Sequence, residues 1–196
     1  MATRLIELVT RRLVLRQWHE EDRAPSAAIN ADPSVMEHLP ALLTRDQSDE
    51  LIDRFIERMK RDGYGLLGRR APGQRRAHRV RRSGCANVEG GVHYLHRDRL
   101  APRQVSLGHG YATEAANAAL ATAFGTIGLG EVVSFTATGN MRSQQVIQRI
   151  GLTRHPSEDF DHPRVATGPL RRHVLYRISR ADWEHREQDP PRPHAP

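Results

Sequence analysis

Residues 107–152 constrain the fold more than any other part of the chain. They read "LGHGYATEAANAALATAFGTIG", "EVVSFTAT" and "GNMRSQQVIQRIGL": a glycine-rich turn feeding an alanine-rich helix, a strongly apolar strand, then a second helix. In that second helix Val146, Ile147 and Ile150 fall where they face a core. Gly108 and Gly110 let the backbone turn tightly and approach a ligand with no Cβ in the way. Amides at a helix N-terminus point outward, the helix dipole adds to them, and together they form a phosphate-binding site. The glycines by themselves also fit an ordinary helix cap, because short glycine motifs recur by accident.

The rest of the chain supplies partners for that unit. "RRLVLRQW" alternates Leu13 and Leu15 with polar neighbours, as a strand does. "HEEDRAPSAAIN" reads as a short helix and "ADPSVMEHLP" as a turn with a helical piece ended by Pro40. Thr44 and Gln47 form a capping box before Leu51, Ile52, Phe55, Ile56 and Met59, which share one helical face. A helix is expected over residues 45–61, closed near Gly63. "RRHVLYRIS" is a further strand, and residues 184–196 read as a polar, Pro-rich disordered tail after a domain spanning 1–183.

At 196 residues the chain fits one domain with a real core. No apolar run approaches the ~18 residues that cross a bilayer, and the N-terminus lacks the apolar stretch of a secretory signal. Cys85 is the only cysteine, so no intrachain disulfide forms. A soluble cytoplasmic protein is expected, with monomer and homodimer both open.

The net charge of +7 is local. Between Leu67 and Leu107 ten arginines face only Glu89 and Asp98, an excess of eight, which leaves the remainder of the chain at −1. Over residues 68–106 neither a period of 2 nor one of 3.6 is sustained, and "VEGGVHYL" is a weak strand. About forty residues without strong structure is anomalous inside a compact domain. A nucleic-acid-binding arm is one reading, but aromatic residues are scarce in it, and charge runs are usually solvated. A metal site from His78, Cys85, His93 and His96 is another, without a recognisable scaffold for tetrahedral ligation. No metal is expected.

The string "LGHGYATEA" together with "TGNMRSQQVIQRIGL" resembles the GNAT superfamily of acyl-CoA-dependent N-acetyltransferases. Its nearest likeness is to the branch that acetylates ribosomal-protein N-termini. The likeness extends to "TRRLVLRQWHEEDRAPSAAINADPSVMEHLP" and to the C-terminal strand, some three-quarters of the chain. It implies an α+β fold, a mixed α/β arrangement with a central, mostly antiparallel sheet flanked by helices. It implies acetyl-CoA as co-substrate and an amine as acceptor. The amides of Leu107, Gly108, His109, Gly110, Tyr111, Ala112 and Thr113 would hold the CoA pyrophosphate, and Asn140 the pantetheine arm or acyl region. Ser143 would protonate the leaving thiolate; relatives that use a tyrosine for this place it where Ile147 stands. The family's Gln/Arg ahead of the glycines falls on Val105, a departure. On the residues alone, Asn140 is also a helix N-cap and Ser143 a polar first-turn residue. The loop "SEDFDHPR", residues 157–164, corresponds to a segment that contributes to the acceptor pocket in relatives, and by itself also reads as a solvated loop.

The resemblance breaks between Leu67 and Leu107, where the branch carries strings such as "GLWAVE", "GEFIGFVGL" and "EIGWRLA". Read one base later, codons for Leu67-Gly68-Arg69-Arg70 can spell "WAVE". Those of residues 74–88 can spell "SGELIGFVGLAAPTL", and those of residues 92–107 "FTTSTEIGWRLARSAW", running into "GHGYATEA". The wobble base gives each match freedom, but the run stays in register with both flanks. The expectation is a one-base insertion near Leu67 compensated near Leu107, with degraded second to fourth strands, poor stability and impaired catalysis. That stretch includes the strand whose amides polarise the thioester carbonyl in the family.

Overall fold

A computed structural model describes residues 7–63, 67–70, 81–84, 87–88, 91–93, 95–96 and 110–189. The chain opens with a hairpin of β1 (Leu8–Val9) and β2 (Val14–Arg16), then runs through α1 (Arg23–Asn30), α2 (Pro33–Met36) and α3 (Arg45–Asp62). Short strands follow: β3 (Gly68–Arg70), β4 (Arg81–Gly84), β5 (Asn87–Val88), β6 (Gly91–His93) and β7 (Leu95–His96). Then come α4 (Tyr111–Ala121), β8 (Glu131–Ala137), α5 (Met141–Arg149), β9 (Thr153–Arg154), β10 (Phe160–Asp161), β11 (Arg172–Ser179) and α6 (Arg180–Gln188). This is the α+β arrangement of a mostly antiparallel sheet flanked by helices.

One sheet runs β1-β2-β3-β4-β7 and the other β10-β11-β8-β6-β5, with β9 on β11. Among the described residues the only parallel ladder is β6 on β8, through Val92↔Val132 and His93↔Val133. A parallel pair needs a crossover, and α4 lies in that connection. The Arg-rich stretch, expected to be nearly structureless, thus contributes paired backbone, in pieces of two to four residues.

The caps behave as their residue types dictate. Thr44 accepts from the Gln47 amide at 3.2 Å, Gln47 returns a bond to the Thr44 amide at 3.0 Å, and Gly63 closes α3 with φ 76°. α4 continues into a π-helical turn over Thr122–Ile127, which periodicity did not foretell. The sequence boundary after Trp183 falls inside α6. Ser179 caps that helix by accepting from the Asp182 amide at 3.1 Å, and Trp183 stacks on Phe124 with centroids 5.2 Å apart. Residues 190–196 lie outside the described residues.

Two apolar clusters do most of the holding. Leu120, Phe124, Val132, Ile147, Ile150, Val174 and Ile178 join α4, α5, β8 and β11. Leu13, Leu15, Met59, Leu67 and Ala115 join β2, α3 and α4. Each large side chain so buried contributes about 1.5–3 kcal/mol. The buried Asp22 carboxylate accepts from Arg16 at 2.7 Å and from the His19 amide at 2.8 Å, which fixes α1 against β2. No helix among the described residues is long and apolar enough to cross a membrane.

Candidate active site

α5 directly follows β8, so its N-terminus lies at the carboxyl end of that strand, whereas β7 stands between β6 and α4 in the chain. In sheets of this kind ligands bind beyond the carboxyl ends of parallel strands, against the helix amides. Gly110 caps α4 in the left-handed region, with φ 67°, and no side chain occupies its cap. Its absent Cβ would stand 3.7 Å from Arg12 Nη2, an ordinary contact, so the glycine is required by its dihedral rather than by space.

The first turn of α4 is clamped from outside. Arg12 donates to Glu114 through Nε at 2.6 Å and through its backbone amide at 2.8 Å, and Thr10 Oγ1 donates to the same carboxylate at 2.6 Å. Burial opposes the charge on Glu114, but these donors outweigh it and hold the carboxyl below its usual range. The Arg12 guanidinium also lies over the Tyr111 ring, 4.5 Å from its centroid. The sequence reading missed this clamp. A Thr and an Arg about a hundred residues before Glu114 carry no local signal.

Of the expected CoA-binding residues, Gly110, Tyr111, Ala112 and Thr113 form the cap and first turn of α4, with Ala112 buried. Leu107, Gly108 and His109 lie outside the described residues, as does Val105. Asn140 is the N-cap of α5: its Oδ1 accepts from the Ser143 amide at 3.2 Å. No acceptor for its Nδ2 is found among the described residues. Ser143 is half-buried in the first turn of α5, so Asn140 and Ser143 are brought together by the cap. Ile147, where relatives carry a tyrosine, is 3% exposed and belongs to the core. Of the four side chains weighed as metal ligands, none belongs to a described side chain. Among the described residues no group of three His, Cys, Asp or Glu side chains could hold an ion.

Two polar features near this end were not foreseen. Tyr176 is buried and donates to Gln144 Oε1 at 3.0 Å, while Gln144 Nε2 donates to the Thr138 carbonyl at 2.7 Å. Burial raises the Tyr176 phenol above its ordinary value, consistent with a neutral strut between β11 and α5. The loop 157–164 does not run free in solvent. Phe160 and Asp161 pair with β11, and Phe160 and His162 join a ring cluster with Phe135 and His173.

This arrangement has a counterpart among known proteins. The sequence matches the Acetyltransferase (GNAT) domain family over residues 12–153. The chain belongs to the GNAT acetyltransferase family. Solved GNAT structures share the fold. An acetyltransferase from Bacillus anthracis superposes with a TM-score of 0.71 at 17% identity, over 90% of this chain and 99% of that one. One from Agrobacterium tumefaciens gives 0.68 at 22% identity, over 89% and 94%. A Vibrio cholerae protein described as a candidate ribosomal-protein-serine acetyltransferase gives 0.67 at 14% identity, over 89% and 97%. Acyl transfer is the chemistry this GNAT domain carries.

Proposed function

We propose that this GNAT domain transfers an acetyl group from acetyl-CoA to a primary amine, either a protein N-terminus or a small amine. The reading is supported by the family match over residues 12–153, together with the Gly110 cap of α4 and the Asn140 cap of α5, the latter at the carboxyl end of β8. The amides from residues 107–113 would hold the pyrophosphate, and Asn140 Nδ2 would donate to the pantetheine or acyl oxygen. The neutral amine would attack the thioester carbon, the C–N bond forming and the C–S bond breaking; a base or water chain takes the proton from nitrogen, and Ser143 gives one to the thiolate and regains it from solvent. Within the family, the ribosomal-protein branch is favoured by the "GHGYATEA" string, and a protein N-terminus is the first acceptor to test.

We infer further that residues 67–107 are translated out of frame, and the sheet register supports it. Arg69 stands opposite Leu15, which is 1% exposed, and opposite Arg81 on its other side. Directly opposed residues share a sheet face, so two arginines occupy positions in line with a core leucine. One base over, both codons can read valine. Resequencing the coding DNA is decisive for the frame: bases that do not spell "WAVE" and "EIGW" one step over refute it.

For the function, acetyl-CoA turnover is measured on this chain and on the frame-restored one, with peptide N-termini and small amines as acceptors. Transfer by the restored chain, with weaker transfer by the present one, is expected. Absence of transfer and of acetyl-CoA binding in both refutes the reading.

A further inference from the structure

α4 and α5 pack on the face of β8 and β11 that carries Val132, Val174, Tyr176 and Ile178. Side chains alternate along a strand, so Phe135, Ala137 and His173 belong to the opposite face. There Phe135 meets Phe160 edge-on at 5.3 Å and His173 at 5.7 Å, Phe160 stacks on His173 at 5.7 Å, and the His162 and His173 rings lie 4.9 Å apart. His173 pairs with Ala137 in β8 and with Phe160 in β10, which puts it at the carboxyl end of β8. The turn from Ala137 to Asn140 is tied to the same place. Thr138 donates to the Arg172 carbonyl through its amide at 3.0 Å and its hydroxyl at 2.7 Å, and the Asn140 amide donates to the Ala137 carbonyl at 2.9 Å.

The two imidazoles are held in opposite tautomers. A carbonyl only accepts, so His173 Nδ1, 3.1 Å from the Arg171 oxygen, carries the proton and Nε2 is left with its lone pair. His162 Nδ1 instead accepts from the Arg164 amide at 3.2 Å, which puts its proton on Nε2. Both residues are half-buried. Burial, then His173 and Arg164, lower the basicity of His162. Other charges nearby are already paired: Asp161 with Arg171 and Arg172, and Asp159 with Arg154.

We propose that His173 Nε2 is the proton acceptor for the attacking amine, and that Phe135, Phe160 and His162 form the apolar wall beside it. This rests on the acetyl-transfer reading. α4 and α5 cover one face of β8 and β11, which leaves the ring-lined face for an amine to approach by. As the C–N bond forms, the proton of the tetrahedral adduct passes to His173 Nε2 and then to solvent. The departing thiolate takes a separate proton from Ser143, which solvent replaces. One proton leaves nitrogen, one reaches sulfur, and the products are the acetamide and free CoA thiol.

His173→Asn retains a donor for the Arg171 carbonyl and removes the base. Expected is a 10²- to 10⁴-fold fall in kcat/KM for the amine, the range of general-base catalysis, with loss of the acid limb of the pH profile. The KM for acetyl-CoA is expected to stay as in the unsubstituted chain. Nitrogen-15 NMR of the imidazoles is expected to show His173 protonated at Nδ1. If the unsubstituted chain transfers acetyl groups and H173N keeps its rate and its acid limb, or NMR finds the proton on Nε2, this assignment is overturned alone. An unsubstituted chain that neither binds nor turns over acetyl-CoA overturns it together with the acetyl-transfer reading.

Discussion

Arg12 and Glu114 bind the opening hairpin to the first turn of α4 across 102 residues of sequence, Nε to Oε2 at 2.6 Å. The first turn of α4 is thereby held by a carboxylate that is itself held by Thr10 and Arg12. Glu114→Gln keeps the shape, loses the charge-assisted bonds and is expected to cost about 1–3 kcal/mol, read as a lower melting temperature.

The same pair sets a pH dependence. The Glu114 carboxyl is lowered from 4.5 by Thr10 and Arg12 against the opposing effect of burial. A lowered acid stabilises the fold above its unfolded pKa, and that stabilisation fades as pH falls through the lower folded value. Melting of the unsubstituted chain is expected to drop more steeply below about pH 4.5 than that of Glu114→Gln; parallel curves would refute the coupling.

Gly110→Ala isolates the backbone requirement. The added methyl meets only Arg12 Nη2 at 3.7 Å, so the cost is the left-handed dihedral, about 1–2 kcal/mol. Thermal melts should show that loss, and isothermal titration should show weaker acetyl-CoA binding, because the cap amides move.

Tyr176→Phe removes the donor to Gln144 Oε1 and leaves a buried acceptor unpaired. About 1–3 kcal/mol is expected to be lost in a denaturant titration. Ile147→Tyr tests the position where relatives carry an acid: it overfills a packed core, costing about 1–3 kcal/mol without raising turnover.

Arg69→Val with Arg81→Val places apolar groups in line with Leu15. A rise in melting temperature is expected, since valine suits a strand position on the face shared with Leu15 better than arginine does. No rise would argue against a core role for those register positions.

Much of this was legible in the sequence wherever the signal was local. The capping box at Thr44, the period of Leu51 to Met59, the apolar run of β8 and the Asn140 cap depend on neighbours within a few residues, and each formed as read. The Gly110 turn was legible for the same reason: only glycine takes its dihedral cheaply. Other features depend on pairs far apart in the chain. The Arg12–Glu114 clamp, the Tyr176–Gln144 strut and the packing of the His162 ring beside His173 join residues whose spacing in sequence says nothing of their spacing in space. The Arg-rich stretch lies between these cases. Its residue types gave no period, yet its backbone pairs with β2 and β8, because hydrogen bonds between strands are made by the main chain whatever the side chain. Residue chemistry over short range determined the elements, and the tertiary fold decided which distant side chains meet, because those contacts join residues with no local signal for one another.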